Sequence, residues 1–274
     1  VTRTGPLRRG QEVAPGYPVI EHVRRGEAYD TYDAWSRRRY SRCFVKAVRP
    51  NLAAEREVGD ALVAEGELLL SCTHPYIVRA YEVAEAANGT PVLVMETLGG
   101  ATLESLLDDG ERRLTTRELG YLGQQLCSAI RYLHDRGYLH LDLKPGNIIA
   151  EFGRARVIDL GVARPPGPSR GGTGTPRCMA PEQVRGGTVG PPADVWGIGL
   201  VLYESATGCQ PFADAPEDHP QLTRTAPPVR SARRLPKALA ETIDGCLRPR
   251  PEDRPTLPHL HDVLAEATGE EQPP

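Results

Sequence analysis

The sequence predicts an α+β fold in which a small β-rich lobe precedes a larger α-rich one. Three observations predict it. Runs with period-two alternation crowd into the first third of the chain, one amphipathic helix interrupts them, and after Leu98-Gly99-Gly100 the character becomes helical.

The elements follow in order. Strands are expected at Val19–Val23, Tyr29–Trp35 and Arg42–Val48, with a later pair near Val78–Val83 and Pro91–Glu96. The interrupting helix runs from about Ala53 to Ser71, because Val58, Leu62, Glu65 and Leu69 share a face at spacings of three and four. Thr115 followed by Glu118 forms a capping box, and Leu119, Leu122, Leu126, Ile130 and Leu133 mark the buried stripe of a long helix. Residues 1–16 mix Gly, Pro and Arg without periodicity and are expected to form a flexible lead. Residues 17–98 then make the first lobe and its exit, residues 99–269 the second, and residues 270–274 a frayed tail.

The chain has 274 residues, of which 39% are hydrophobic, enough for a substantial core. Thirty-three basic against 36 acidic side chains give a net charge of -3, which argues against a nucleic-acid partner bound through phosphate neutralisation. The cluster Arg37, Arg38, Arg39 and Arg42 reads as a solvated hairpin tip. Six cysteines show neither a C-x-x-C pair nor metal-ligand spacing, so free thiols in a cytoplasmic setting are expected. No apolar run approaches the ~18 residues that a spanning helix needs, so membrane insertion within this chain is not expected.

The chemistry is concentrated in His140-Leu141-Asp142-Leu143-Lys144-Pro145-Gly146-Asn147, followed after a short strand by Asp159-Leu160-Gly161. A carboxylate suited to a hydroxyl nucleophile, a lysine two residues on, and an Asn/Asp pair of hard oxygen ligands make a phosphoryl-transfer set. This stretch resembles the H-R-D-x-K-P-x-N catalytic loop and D-F-G motif of protein kinases, and the resemblance extends over nearly the whole chain. The chain is similar to the catalytic domains of bacterial, actinobacterial-type serine/threonine kinases.

The resemblance implies the bilobal protein-kinase fold, with a small antiparallel N-lobe sheet, one main N-lobe helix and a helical C-lobe. It also implies ATP and Mg²⁺ as cofactors and a protein or peptide Ser/Thr hydroxyl as acceptor. Cys43-Phe44-Val45-Lys46 matches the V-A-I-K strand, whose lysine grips the α/β-phosphates. Glu65 is its implied ion-pair partner, with Glu67 the rival on a different helix face. Met95-Glu96-Thr97-Leu98 resembles the gatekeeper and hinge, which makes Glu96 and Leu98 adenine-binding positions. Asp142 takes the role of the group that accepts the hydroxyl proton, beside Lys144. Asn147 and Asp159 take that of metal ligands. Gly174-Thr175-Pro176-Arg177-Cys178-Met179-Ala180-Pro181-Glu182 is similar to the end of an activation segment, and Lys144 with Thr175 implies Ser/Thr acceptors. Asp194-Val195-Trp196-Gly197 matches the start of the helix beneath the catalytic loop. Asp253-Arg254-Pro255 supplies the arginine that pairs with Glu182.

The chain also departs from the pattern. Where the family carries three loop glycines stand Arg24, Gly26 and Tyr29, so only Gly26 survives, and a weaker or reshaped phosphate cradle is expected. Phe44 replaces the small residue that roofs adenine. Leu141 replaces the H-R-D arginine, which marks a non-RD kinase in which loop phosphorylation at Ser169 or Thr173 has little to act on. These departures support a rival reading as a pseudokinase scaffold. Two further readings are a small-molecule phosphotransferase, against which the segment ending at Glu182 argues, and the kinase module of a lanthipeptide synthetase.

Overall fold

Lys46 owes its place to strand pairing. β3 (Ser41–Val48) lies between β2 (Tyr29–Ser36) and β5 (Pro91–Glu96), and the registers set Lys46 opposite Thr31 on one side and Leu93 on the other. With β1 (Val19–Arg25) and β4 (Ala80–Glu85) the antiparallel sheet runs β1-β2-β3-β5-β4. The computed structural model describes residues 5–108 and 112–269. These form two bodies: the chain through Gly99 together with Asp159–Gly161, and Gly100–Ile158 together with Val162 onward.

In the first body the two faces of the sheet do different work. Cys43, Val45 and Ala47 join Tyr32, Ala34, Val92 and Val94 in an apolar cluster on one face. α1 (Arg56–Ser71) packs on the other, and Gly66 permits the approach: a Cβ there would lie 2.3 Å from Val83 Cγ2. The helix starts three residues later than expected because Pro50–Leu52 forms a separate 3-10 turn. β4 likewise begins at Ala80 rather than Val78.

The expectation of a flexible lead over residues 1–16 needs correction from Leu7 onward. Val13 and Ala14, 3% and 2% exposed, belong to the apolar cluster together with Tyr17. Gly10 N–H donates to Val19 O, Val19 N–H to Gln11 O, and Leu7 N–H to the Tyr32 hydroxyl. Three apolar residues in a looping segment carry no period, so sequence pattern misses a cover that the sheet face demands. Residues 1–4 lie outside the described residues, as does the expected tail at 270–274. The arginine-rich tip is more than solvated: Arg39 pairs with Glu82 at 2.5 Å, Arg37 with Glu12 at 3.1 Å, and Arg42 with Asp33.

The second body is helical. β6 (Ala101–Thr102), α2 (Leu103–Leu107) and α3 (Thr116–Asp135) lead to a hairpin of β7 (Ile148–Glu151) and β8 (Arg154–Val157). The Thr115 capping box is closed in both directions, at 3.2 and 2.7 Å. β9 (Gly167–Ser169) pairs with β10 (Gly187–Val189) around α4 (Pro181–Arg185). α5 (Pro192–Thr207) is buried along nearly its whole length, and α6 (Val229–Ala232), α7 (Lys237–Cys246) and α8 (Leu257–Thr268) complete the body. A helix buried along nearly its whole length belongs in a core, and α5 is the post on which the segment from His140 hangs through Asp194.

Candidate functional site

In the first body, Lys46 donates to both Glu65 carboxylate oxygens at 3.0 and 2.8 Å and to Asp159 Oδ1 at 3.3 Å. Glu65 is buried on α1, whereas its rival Glu67 is exposed. Burial works against the charge on Lys46, but Asp159 and Glu65 outweigh it and hold its pKa above the ordinary lysine value. Burial also pushes the Glu65 carboxyl up, against the pull of Lys46 and with Asp159 adding to the rise. Gly161 N–H donates to Asp159 Oδ1 at 2.8 Å and fixes that carboxylate.

Tyr29 sits on this triad. Its ring centroid lies 4.8 Å from Lys46 Nζ, and its hydroxyl donates to Val58 O on α1 at 3.1 Å. Burial raises the phenol pKa, so the ring stays a neutral donor. The hairpin tip beside it is pinned: Arg49 donates to Gly26 O at 3.2 Å, Glu27 O at 2.8 Å and, through its backbone N–H, Ala28 O at 3.0 Å. Arg25 makes two 2.8 Å bonds to Asp30, which is 1% exposed. A glycine-rich hairpin keeps its backbone freedom, whereas here side chains hold the turn. Gly26 N–H is itself engaged with Tyr29 O at 2.8 Å.

Phe44 is half-buried on the same sheet face as Lys46, paired in register with Asp33 and Met95. Glu96 accepts from Arg79 N–H at 2.7 Å through its carboxylate, and half-buried Leu98 follows the end of β5.

In the second body, Asp142 is the centre of a network. Oδ2 accepts from Lys144 Nζ at 2.9 Å and Asn147 Nδ2 at 3.0 Å, and Oδ1 accepts from Thr175 N–H at 2.9 Å. Lys144 also donates to the Thr175 hydroxyl. Asn147 Nδ2 makes a second bond to Asp142 O at 2.9 Å, which leaves its Oδ1 as the oxygen directed elsewhere. Asp194, at the start of α5, supports the loop from below: its carboxylate accepts from His140 N–H at 2.9 Å, Leu141 N–H at 2.8 Å and His134 at 2.8 Å. Leu141 has φ +66°, an unusual conformation for a residue with a side chain, and the Asp194 bond helps hold it.

The predicted residues thus assemble as Lys46, Glu65 and Asp159 in one body and Asp142, Lys144 and Asn147 in the other, with Gly26, Glu96 and Leu98 engaged locally. Sequence reading missed two participants, the Tyr29 ring over Lys46 and the Gln183 side chain. Gln183, just past Glu182, carries no spacing signal, since its partners are backbone groups, two carbonyls and one N–H.

Residues 17–264 match the family described as "Protein kinase domain". Among curated proteins, the serine/threonine-protein kinase PknB of Mycolicibacterium smegmatis is 30% identical over 93% of this chain and 44% of its own length. Serine/threonine-protein kinase PkaA of Streptomyces coelicolor is 30% identical over 82% of this chain and 43% of its own length. The chain therefore spans less than half of these relatives. Among solved structures, a cysteine-to-alanine mutant of the kinase domain of Mycobacterium tuberculosis PknI superposes with a TM-score of 0.76 at 22% identity, covering 97% of this chain and 100% of that one. That likeness bears on the fold.

Proposed function

The chain belongs to the protein kinase domain family, and on that premise we propose that it is an ATP- and Mg²⁺-dependent serine/threonine protein kinase of the non-RD type. The observation that carries this reading is the Asp142 network. A carboxylate held by Lys144, Asn147 and the Thr175 N–H is oriented by three donors, as a group that accepts a hydroxyl proton must be.

Lys144 orients Asp142 and offers its charge to the incoming hydroxyl and phosphate. Lys46, kept protonated by Asp159 and Glu65, binds phosphate oxygens. Asn147 Oδ1 and the Asp159 carboxylate are the hard oxygens for Mg²⁺. Among the described residues no group of three or more His, Cys, Asp or Glu is placed to hold a metal. Mg²⁺ takes one or two protein carboxylates and completes its shell with water and phosphate, so binding it requires no such cluster. Bound there, Mg²⁺ supplies charge neutralisation of the transferring phosphoryl group. Glu96 and Leu98 line the adenine end, and Gly26 belongs to the phosphate loop. Residues 17–98 act as N-lobe and hinge, and 99–269 as C-lobe.

The names of PknB and PkaA support Ser/Thr protein or peptide acceptors. A cytoplasmic setting agrees with the free cysteines and with the finding that, among the described residues, no helix is long and apolar enough to cross a membrane. No nucleic-acid partner is proposed. The pseudokinase reading draws on one observation, the Tyr29 ring over Lys46. Transfer from γ-labelled ATP with Mg²⁺ to a generic protein acceptor separates the two. The kinase reading expects transfer by the wild type and a loss of at least ~100-fold in Asp142→Asn, with nucleotide affinity nearly unchanged. Full activity in Asp142→Asn would sink the enzymatic assignment.

A further inference from the structure

Resting on the kinase reading, we propose that Gln183 is a positioning residue that holds the activation segment against the catalytic loop without any phosphate. Gln183 is 4% exposed, and every hydrogen-bonding atom of its amide is used. Nε2 donates to Leu141 O at 2.9 Å and to Thr173 O at 3.3 Å, and Oε1 accepts from Ala180 N–H at 3.0 Å. Its backbone carbonyl accepts from Gly172 N–H at 3.1 Å. One buried side chain therefore ties the residue before Asp142 to the segment two residues before Thr175. Thr175 in turn places its N–H on Asp142 Oδ1.

The chemistry explains why this contact has directional consequences. A primary amide has two donors, and both are spent on carbonyls from separate segments, so a slip of either leaves a buried polar atom unpaired. The Leu141 peptide units are held at both ends, by Asp194 on the N–H and Gln183 on the carbonyl, which keeps φ at +66°. Gly174 takes φ +125°, and a Cβ there would lie 3.1 Å from Leu141 O, so the segment passes close against the loop. The role that a phosphate gripped by an arginine plays elsewhere in the family falls here to a neutral amide, with Leu141 where that arginine would stand.

Two experiments test this. The first treats wild-type protein with phosphatase and follows transfer to a protein acceptor together with amide hydrogen exchange of residues 172–175. Both should stay within twofold of the untreated protein. A tenfold fall in transfer, or loss of protection, overturns the proposal.

The second compares Gln183→Met, matched in volume but without the amide, and Gln183→Glu with wild type. Gln183→Met should raise the acceptor KM at least fivefold while the ATP KM changes less than twofold, and should speed exchange at residues 172–175. Gln183→Glu, which loses both donors when ionised and regains one when protonated, should recover relative to wild type as pH falls from 8 to 6. A Gln183→Met enzyme with unchanged acceptor KM and exchange refutes the proposal, and so does a Gln183→Glu to wild-type ratio that stays flat with pH. If the variants do not fold, the phosphatase experiment on wild type decides. If wild type transfers no phosphate at all, the kinase reading fails, and the exchange comparison still tests Gln183.

Discussion

The Tyr29 ring lies 4.8 Å from the ammonium of Lys46 and is anchored through its hydroxyl to Val58 O on the neighbouring helix. It stands at a position where the family carries glycine, and it occupies one side of the ammonium for which phosphate binding is proposed. A cation–π contact of this kind contributes ~0.5–2 kcal/mol, so its removal has two opposite effects. Tyr29→Gly should bind Mg-ATP severalfold more tightly in titration calorimetry, leave adenosine affinity unchanged, and lower thermal stability. ATP affinity that stays the same or weakens would mean the ring orients Lys46 productively rather than covering it.

Gly66 packs against Val83. Gly66→Ala gains ~1 kcal/mol of helix propensity, but its Cβ would sit 2.3 Å from Val83 Cγ2, and overpacking costs ~1–3 kcal/mol. The variant should be less stable in urea unfolding and weaker in ATP binding, because Glu65 is the adjacent residue. In a Val83→Ala background the remaining neighbours are Leu93 Cδ1 at 3.3 Å, the end of a flexible side chain, and the residue-83 Cβ at 3.8 Å, so most of the destabilisation should disappear. Equal destabilisation in both backgrounds would show that the clash is not with Val83.

Glu182 and Arg254 form a two-pronged pair at 2.6 and 2.8 Å, with the arginine side chain fully buried and also donating to Pro192 O and Arg248 O. Arg254 also donates to Pro249 O at 3.4 Å, so Arg254→Met leaves the carboxylate and three carbonyls without their partner and should cost about 3–5 kcal/mol in denaturant unfolding. Adding Glu182→Leu should restore part of that loss. Purely additive costs would indicate that the two side chains stabilise the fold independently.

Glu204 on α5 titrates near neutrality. Burial, with Glu104 and Asp108 adding repulsion, pushes its carboxyl up to about 7. A raised carboxylate pKa means that the folded chain holds a proton the unfolded chain has released. The stabilisation is therefore complete below the unfolded value near 4.5 and is lost as pH rises through about 7. Glu204→Gln should raise Tm at pH 8 and change it little at pH 5. The gain at pH 8 should be on the order of 1 kcal/mol, since the group is partly exposed and screened. Equal effects at both pH values would remove the titration from the account.

Much of this molecule is legible in its sequence, for reasons that differ by element. α3 announces itself because capping and burial are local: Thr115, Glu118 and the leucine stripe lie within 20 residues and specify the helix whatever surrounds it. The sheet's inner strands are equally plain from alternation. The start of α1 is less so, since Pro50 shifts it only through the 3-10 turn that precedes it. The N-terminal cover is invisible, because Val13, Ala14 and Tyr17 are buried by a sheet face formed much later in the chain.

The candidate site divides the same way. Residue types and order by themselves single out Lys46, Glu65, Asp142, Lys144, Asn147 and Asp159, and mark Arg24, Tyr29, Phe44 and Leu141 as breaks in the pattern. Tertiary structure alone decided what the breaks do. Tyr29 could be read as a missing glycine, but that its ring meets an ammonium on another strand depends on strand register and on the distance to Val58. Leu141 could be read as a missing arginine, but the amide that binds its carbonyl comes from Gln183, 42 residues away. A side chain that bonds backbone groups leaves no pairing of residue types for sequence to display, and only the folded chain brings donor and acceptor within 3 Å of each other.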